Sequence, residues 1–348
     1  MNQLFDVTPN DTYFYENYIK DFLPDQFVDV HTHVWLKKFK SVREDIPSRT
    51  VTWPDRVASE NSIEDLLTTY KLLFPDKEVT PLIFGNVSLG DDIEAANDYV
   101  KQCARQYGVP ALIFASPEWG ARELEEKILQ GEFLGCKVYL SLSKPYIPAD
   151  EIRIYDFLPP HQLEVLDQYG WIVMLHIPRK DRLRDPVNLA QMMEMERKYP
   201  NVKLIIAHVG RAYCNEDVGN AFEILSDTRN MMFDISANTN QWVFERLIET
   251  VGSKRILFGS DLPILRMRAK RICKDGIYIN IVPKGIYGDV SRDVHMKEVS
   301  GEEAETITFL LYEEIHAFRR AAENMGLSRT DINRIFYENA VNLFKLYK

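Results

Sequence analysis

The first apolar run of the chain, Phe27–His33, ends in two histidines one residue apart, His31 and His33. In a β-strand, residues i and i+2 point to the same face, so both imidazoles converge on one point. Two neutral imidazoles directed at one point suit a divalent transition metal, most often zinc. A single pair of this kind is a weak signal, and it gains weight because later apolar runs also end in His or Asp.

Three later positions carry the same kinds of side chain. His176 stands at the end of one apolar run, His208 follows the next, and Asp261 follows the last. Three imidazoles and one carboxylate make a site for a metal that polarises a carbonyl group and lowers the pKa of bound water. A fourth histidine outside the metal shell can orient that water or carry a proton to the leaving group. These residue types therefore predict a catalytic metal site.

The runs that carry these residues belong to a longer pattern, in which apolar runs of strand length alternate with helical segments. With Phe27–His33 the runs number eight, and the others are Val79–Asn86, Pro110–Ala115, Leu134–Leu140, Trp171–Ile177, Val202–Ala207, Met231–Ser236 and Arg255–Gly259. A parallel sheet that is buried on both faces requires continuous apolar strands, joined by right-handed crossover helices. Eight such units predict an α/β fold of the (β/α)₈ TIM-barrel type, with a doubly wound open sheet as the alternative. In a TIM barrel the active site lies at the carboxyl ends of the strands, where these histidines and the aspartate fall.

Segments outside the barrel pattern are expected to elaborate it. We predict a helix over residues 10–24, which Pro24 ends, and a long polar loop between His33 and Ser62, of a length typical of loops that cover a site. Residues 262–300 look irregular, apart from a hairpin around Ile277–Val282, and residues 301–348 look helical. Since no linker divides the chain, we expect one domain over 1–348, with the barrel at about 27–261, an insertion at 262–300 and C-terminal helices at 301–348.

Composition excludes several classes of function. The chain has 348 residues, 27% of them charged, and a formal net charge of -10, which argues against nucleic acid or an anionic membrane surface as the main partner. The amino terminus lacks a secretory signal pattern, and no apolar run approaches the roughly 20 residues that span a bilayer. The four cysteines form no Cys-x-x-Cys pair, so we expect reduced thiols in a cytoplasmic protein.

Taken in order, the motifs resemble the successive signatures of the amidohydrolase superfamily. The segments that carry the resemblance are Phe27–His33, Leu134–Tyr139, Ile172–His176, Leu204–Gly210, Ile256–Pro263 and Glu338–Phe344. The branch that they resemble most is amidohydrolase-2, the aminocarboxymuconate-semialdehyde decarboxylase-like metal-dependent hydrolases. The resemblance covers roughly residues 27–348 apart from the long loops.

The resemblance implies a division of roles among the residues of the site. It implies one divalent metal ion held by His31, His33, His176 and Asp261, with zinc expected and manganese or iron as alternatives. It also implies that His208 lies beside the metal as a water-positioning or acid/base residue, while Asp261 accepts a proton. Lys137 stands where some superfamily members carry a carboxylated lysine that bridges two metals; because this branch holds one metal, we expect an interior lysine paired with a carboxylate.

Other side chains are candidates for substrate binding. Arg211 follows His208, and an arginine forms bidentate pairs with carboxylates, so it is a candidate clamp for an acidic substrate. Trp35, in the loop after the first strand, is a candidate wall of the pocket, as is Trp53.

Two reactions share this predicted site. One is hydrolysis of a C–O or C–N bond of a small carboxylate-bearing molecule by metal-activated water. The alternative is non-oxidative decarboxylation, or another lyase reaction, of an aromatic or enol acid. A barrel that only binds its ligand is disfavoured, because a binding module has no need of a proton shuttle.

A homodimer is also expected, because the branch often forms dimers and the helical tail is apolar. The residues that suggest this surface are Phe309, Leu310, Leu311 and Phe318, with packing against the barrel as the alternative.

Overall fold

A computed structural model describes residues 4–41 and 51–344 of the chain. Eight of its strands follow the predicted runs and pair in parallel. They are β1 Gln26–His33, β2 Glu78–Phe84, β3 Ile113–Phe114, β4 Gly135–Val138, β5 Ile172–Leu175, β6 Lys203–Ile206, β7 Met232–Asp234 and β8 Ile256–Leu257. Strands β3 to β8 lie in chain order, and β1 pairs with β2.

Backbone hydrogen bonds close these strands into a barrel. Ile83 N donates to the Pro110 carbonyl and Leu112 N to the Ile83 carbonyl, both at 3.0 Å, which joins β2 to the β3 side. On the other side, Val30 N donates to the Phe258 carbonyl at 3.0 Å, which joins β1 to the β8 side. The predicted TIM barrel is therefore confirmed, and the open-sheet alternative is wrong.

The strands read as continuous apolar runs because both of their faces are buried. One set of side chains fills the barrel interior, for example Val30, Leu82 and Met174, and the C-terminal helix Asn339–Phe344 packs against this set. The alternate set faces the surrounding helices and belongs to the larger outer core. Burial of each such aliphatic side chain stabilises the fold by about 1.5–3 kcal/mol.

Amphipathic helices cover the outside of the barrel. The helices that follow β1 to β8 are Ile63–Leu73, Ile93–Tyr107, Ala121–Gly131, Pro160–Tyr169, Pro186–Lys198, Ala221–Leu225, Gln241–Val251 and Leu310–Asn324. The first of them starts at the predicted cap, where Ser62 and Asp65 form a reciprocal capping box.

The segments before and after β1 agree only partly with expectation. The amino-terminal helix runs over Pro9–Phe14 and continues as a π-helix over Tyr15–Ile19, so it ends before the predicted residue 24. The described parts of the loop after His33 contain short 3₁₀ turns at Lys37–Phe39 and Trp53–Arg56. Residues 42–50 of the predicted loop lie outside the described residues.

The insertion after β8 is more regular than the sequence suggested. Strands β9 Lys270–Lys274 and β10 Ile277–Pro283 form an antiparallel hairpin, and β11 Met296–Val299 pairs in parallel with β10. The hairpin turn is Asp275-Gly276, with φ of 53° and 74°, which is the Asp-Gly signal of a two-residue turn. We call β9, β10 and β11 the insertion sheet. The predicted hairpin around Ile277–Val282 marks its second strand.

A disulfide ties the insertion sheet to the barrel. Cys273 on β9 is bonded to Cys214 in the loop after β6, with their Cα atoms 5.7 Å apart. The prediction of four reduced thiols is therefore wrong for this pair, while Cys103 and Cys136 are free and buried. The two bonded cysteines are 59 residues apart in the sequence, and they meet only because the insertion folds back over the loop.

The C-terminal region is helical as expected, but it is divided. Its helices are Glu302–Glu305, Leu310–Asn324, Arg329–Asn333, the π-helix Arg334–Glu338 and Asn339–Phe344. The apolar residues that suggested a dimer surface, Phe309, Leu310, Leu311 and Phe318, are at most 1% exposed within the chain. They pack in the core, so they offer no surface for a second copy. Across the described ranges, no helix combines the length and the apolarity that a membrane span requires.

Candidate active site

Strand β1 and the residues after β8 bring three predicted site residues together. His31 and His33 have ring centroids 5.4 Å apart. The Nε2 atoms of His31 and His33 lie 3.6 Å and 3.3 Å from Oδ1 of Asp261. Gly259 permits this approach, since a Cβ at that position would lie 2.8 Å from the Cβ of His31.

Hydrogen bonds fix which nitrogen of each β1 histidine faces the cluster. Nδ1 of His31 donates to Oδ2 of Asp234 at 2.9 Å, and Nδ1 of His33 donates to the Gly85 carbonyl at 3.0 Å. Both Nε2 atoms therefore face Asp261, and that of His31 also lies 3.3 Å from Nζ of Lys137. This is the orientation that outer partners impose on metal-binding histidines.

The other two predicted histidines lie against the same group. His208 stacks near His31 at 4.7 Å between ring centroids, and one ligand atom from each of His31, His208 and Asp261 lies within 4.8 Å of the others. His176 lies 5.4 Å from His208 and 4.6 Å from Tyr139, again between ring centroids. Its Nδ1 is buried and has no hydrogen-bond partner in the described part of the chain. All five predicted site residues therefore line one cavity.

Asp234, at the end of β7, organises the cluster from behind, and sequence reasoning missed it. Besides the bond from His31, this fully buried carboxylate accepts from the backbone N–H of His208 at 2.9 Å and from the backbone N–H of Ser236 at 3.1 Å. Ser236 Oγ contacts Nδ1 of His208 at 2.9 Å. The sequence does carry a sign of it, namely an acidic residue inside the apolar run Met231–Ser236. A carboxylate is rarely buried unless other groups pair with it.

Backbone conformation marks this rim as a functional site. Five non-glycine residues here have positive φ: His208 (57°), Val209 (49°), Arg211 (62°), Ala237 (54°) and Asp261 (54°). The left-handed region costs an ordinary residue of order 1–3 kcal/mol and is found most often where function requires it. The strain concentrates at the ends of β6, β7 and β8.

The electrostatics favour neutral imidazoles beside an ionised carboxylate. Burial lowers the pKa of His31 and His176 well below the usual value, and burial also lowers the pKa of His208. For Asp261, burial opposes ionisation, yet the hydrogen bond with His33 and the nearby histidines bring its pKa to about 2. Neutral histidine and ionised carboxylate are the forms that bind a divalent cation. Together with the unpartnered Nδ1 of His176, this donor set fits a metal ion.

Lys137 on β4 lies inside the same cluster. Its Nζ is 3.3 Å from Nε2 of His31 and 5.1 Å from the ring centroid of Phe84, and burial lowers its pKa to about 8. The predicted interior position is confirmed. The expected ion pair with a carboxylate is absent from residues 4–41 and 51–344 within 4.0 Å, although Asp234 and Asp261 are near enough to favour its charge.

The cavity in front of the cluster has a volume of about 500 Å³. Trp35 lines it, as predicted, and is held by a hydrogen bond from Nε1 to the Ser59 carbonyl at 3.1 Å. Arg211 is not among the lining residues, because its Nη1 donates to the carbonyl oxygens of residues 177, 178 and 179 at 3.1–3.2 Å. Arg271 of the insertion sheet does line the cavity, and it was not predicted.

The chain matches a family of known proteins. The model of the amidohydrolase family Amidohydro_2 matches residues 28–346. A search of curated proteins gives no significant match.

Solved structures resemble the chain over nearly its whole length. A dihydroxybenzoic acid decarboxylase from Polaromonas sp. JS666, with bound manganese and the inhibitor 2-nitroresorcinol, is 16% identical with a TM-score of 0.55, over 93% of this chain and 98% of that one. A 2,6-dihydroxybenzoate decarboxylase from Rhizobium is 15% identical with a TM-score of 0.57, over 93% and 100%. A probable 2-pyrone-4,6-dicarboxylic acid hydrolase from Acinetobacter baumannii, with citric acid bound, is 15% identical with a TM-score of 0.55, over 92% and 99%. These likenesses confirm the fold.

Proposed function

The chain belongs to the amidohydrolase family, and we propose that it is a metal-dependent hydrolase of a C–O or C–N bond in a small carboxylate-bearing molecule. The observation that carries this proposal is the convergence of His31, His33, His176, His208 and Asp261 on one cavity. Four imidazoles gathered around one carboxylate serve no structural purpose in the barrel that apolar side chains would not serve better.

We assign the metal to His31, His33, His176 and Asp261. Nε2 of both β1 histidines faces the cluster because Nδ1 is hydrogen-bonded elsewhere, and the buried Nδ1 of His176 is without a partner among the described residues. A divalent ion bound there would polarise the scissile group and lower the pKa of a water molecule. We propose zinc, which suits three imidazoles and one carboxylate, while the manganese in the Polaromonas decarboxylase makes manganese the first alternative.

His208 and Asp261 then move protons. Water adds to the electrophilic carbon, the C–O or C–N bond breaks, and Asp261 accepts a proton from the attacking water. Nε2 of His208 takes that proton from Asp261 and passes it to the leaving oxygen or nitrogen. The hydrogen bonds of Ser236 to Nδ1 of His208 orient the ring so that Nε2 is the exchanging atom. Trp35 would cover the substrate from the loop side, and the proposed carboxylate clamp at Arg211 stays a prediction.

Decarboxylation of an aromatic or enol acid is the second candidate. Two of the structures that resemble this chain are named as decarboxylases of dihydroxybenzoates, at the same level of identity as the hydrolase. The same residues would serve: the C–C bond to the carboxylate breaks, CO₂ leaves, and the proton carried by His208 or Asp261 replaces it on carbon.

Isotope labelling separates the two reactions. Metal-loaded protein is incubated in H₂¹⁸O with a panel of small lactones, amides and esters that carry a carboxylate, and in D₂O with a panel of hydroxybenzoates. Hydrolysis incorporates ¹⁸O into one product, and we expect this result. Release of CO₂ with deuterium on the former carboxyl-bearing carbon would instead establish the decarboxylase. Turnover in neither panel contradicts both.

Three broader predictions accompany this function. We propose that residues 1–348 fold as one domain, that the protein forms a homodimer through a surface other than the buried residues of the helical tail, and that nucleic acid is not a partner, in keeping with the net charge of -10. The proposed cytoplasmic location rested partly on reduced thiols, and the disulfide between Cys214 and Cys273 weakens it, because cytoplasmic thiols stay reduced. Light scattering of the purified protein tests the homodimer. Labelling of free thiols in intact cells shows whether Cys214 and Cys273 are reduced there, and so tests the location.

A further inference from the structure

On one side of the cavity, aromatic rings surround the guanidinium group of Arg271, which belongs to the insertion sheet. We call Arg271 and the rings of Trp53, Tyr213 and Tyr278 the insertion-sheet wall. The guanidinium carbon of Arg271 lies 4.7 Å from the ring centroid of Tyr278, 5.2 Å from that of Tyr213 and 5.8 Å from that of Trp53. All four side chains line the cavity. Nε1 of Trp53 donates to the hydroxyl of Tyr278 at 3.1 Å, which joins the loop after β1 to the insertion sheet.

Arg271 is positioned by hydrogen bonds, and no carboxylate of the described residues forms an ion pair with it; the acidic group that acts on its charge from a distance is the buried carboxyl of Glu314. Nε donates to Oδ1 of Asn280, its cross-strand neighbour on β10, at 2.8 Å, and Nη1 donates to the Ala237 carbonyl. None of the ion pairs in the described ranges involves Arg271. By contrast Arg182, which packs on the same two tyrosine rings, is paired with Asp217 at 2.7 Å.

This geometry leaves donors for a ligand. A guanidinium carries five N–H groups in a fixed fork, of which two are used here, and the side chain faces a cavity. A planar fork with free donors fits a carboxylate, which accepts two parallel hydrogen bonds. The surrounding rings exclude water, and this strengthens such a pair relative to one on an open surface.

The disulfide holds this wall in place. Cys273 is two residues after Arg271 on β9, and Cys214 follows Tyr213 directly, so the bond fixes the strand that carries the arginine and the loop that carries one of its rings. The wall also adjoins the metal cluster. Ala237, which accepts the bond from Arg271, follows Ser236, whose Oγ lies 3.3 Å from Nδ1 of His31 and 2.9 Å from Nδ1 of His208.

We propose that Arg271 is the specificity-determining residue of the site and receives a carboxylate of a planar acid whose reacting bond lies at the histidine cluster. This assignment depends on the proposed function, which identifies the end of the substrate that reacts. It adds that the substrate is a planar acid. The carboxylate that pairs with Arg271 is at the end of the substrate away from the reacting bond. The flat body of the substrate lies against Trp53 and Tyr278. A neutral analogue of the same shape loses the charge-assisted pair, which is worth about 10- to 100-fold in affinity.

A matched pair of probes tests this assignment without requiring turnover. Isophthalate carries two carboxylates on a flat ring, and 3-carbamoylbenzoate replaces one of them by a carboxamide. We expect calorimetric titration of the metal-loaded wild-type protein to show isophthalate binding at least ~10-fold more tightly. Arg271→Met should abolish that preference, while Arg271→Lys should keep part of it.

The control variant is Lys270→Met, which removes a positive charge from the adjacent, exposed position on the opposite face of β9. It should retain the wild-type preference. Circular dichroism establishes that each variant is folded, and Arg271→Gln replaces the methionine variant if that one does not fold.

Equal affinity of the wild-type protein for the two probes, binding of neither probe, or a preference that survives Arg271→Met would overturn the assignment. Metal content and turnover are measured on the same samples, so a protein that discriminates between the probes yet binds no metal would refute the proposed function and leave the role of Arg271 standing.

Discussion

The histidine cluster and the insertion-sheet wall are adjacent parts of one cavity, and they are built in different ways. The residues of the cluster lie at the ends of parallel strands, where the hydrogen bonds between strands fix the backbone. Asp234 orients two of them, His31 and His208. The wall lies outside the strand pairing of the barrel and depends on a hairpin, on the aromatic rings around Arg271 and on one disulfide. The difference teaches that the shared barrel can supply the chemistry while an individual insertion supplies the choice of substrate.

The largest effect that separates the two regions is expected at His208. His208→Ala should lower turnover by about 10²–10⁴, since it removes the proton carrier, and should retain the metal. Steady-state kinetics and metal analysis of the same preparation measure both quantities. His161→Ala is the matched control, because that histidine lies outside the cavity and contacts the Trp119 carbonyl. A metal-free His208→Ala protein would make His208 a ligand and reverse the assigned roles.

Removal of the disulfide should affect the wall and spare the cluster. The double variant Cys214→Ser/Cys273→Ser should lose about 2–4 kcal/mol of unfolding free energy, because a 59-residue loop is no longer closed in the unfolded chain. Metal content should not change, and hydrogen exchange should rise in residues 270–283. Dithiothreitol should reproduce the loss in the wild-type protein and have no effect on the double variant. A loss of metal on reduction would show that the cluster depends on the wall.

An effect on stability alone, which depends on pH, is expected at Glu314, whose side chain is fully buried. Burial, with the nearby carboxyl groups of Asp29 and Asp234, raises the pKa of Glu314 well above its usual value, while the backbone N–H of Ala237 opposes the shift. A raised pKa stabilises the fold below the unfolded value of about 4.3, and this contribution is lost as the pH rises toward the folded pKa.

Glu314→Gln, which cannot ionise, should therefore gain stability relative to the wild-type protein as the pH rises from about 4.3 toward the folded pKa of Glu314, by up to about 1.4 kcal/mol per pH unit. Denaturant unfolding of both proteins at several pH values measures the difference. The exposed Glu303→Gln is the control and should show no such trend. A wild-type protein that gains stability relative to Glu314→Gln with rising pH would refute the assignment.

The cluster was predictable because each of its parts is a local pattern. An apolar run followed by His or Asp places the side chain at a strand end, and the parallel arrangement of eight runs brings those ends to one rim. His31, His33, His176, His208 and Asp261 all reach the same cavity for this reason.

The wall was not predictable because its contacts are between distant segments. Nothing local marks Arg271 as different from the arginines near it, and its rings come from residues 53, 213 and 278. The pairing of Cys214 with Cys273 likewise depends on how the insertion folds back over the loop after β6. Arg211 shows another limit of the sequence, which gave no sign that its guanidinium would donate to backbone carbonyl groups.

The central claim is that four side chains of the rim hold one metal ion while His208 stands outside its shell. An anomalous difference map from crystals grown with zinc tests it most directly. We predict a single peak within about 2.0–2.2 Å of donor atoms of His31, His33, His176 and Asp261, with Nε2 of His208 beyond bonding distance. A peak bonded to His208 and not to His176, or the absence of a peak at this rim, would contradict the claim.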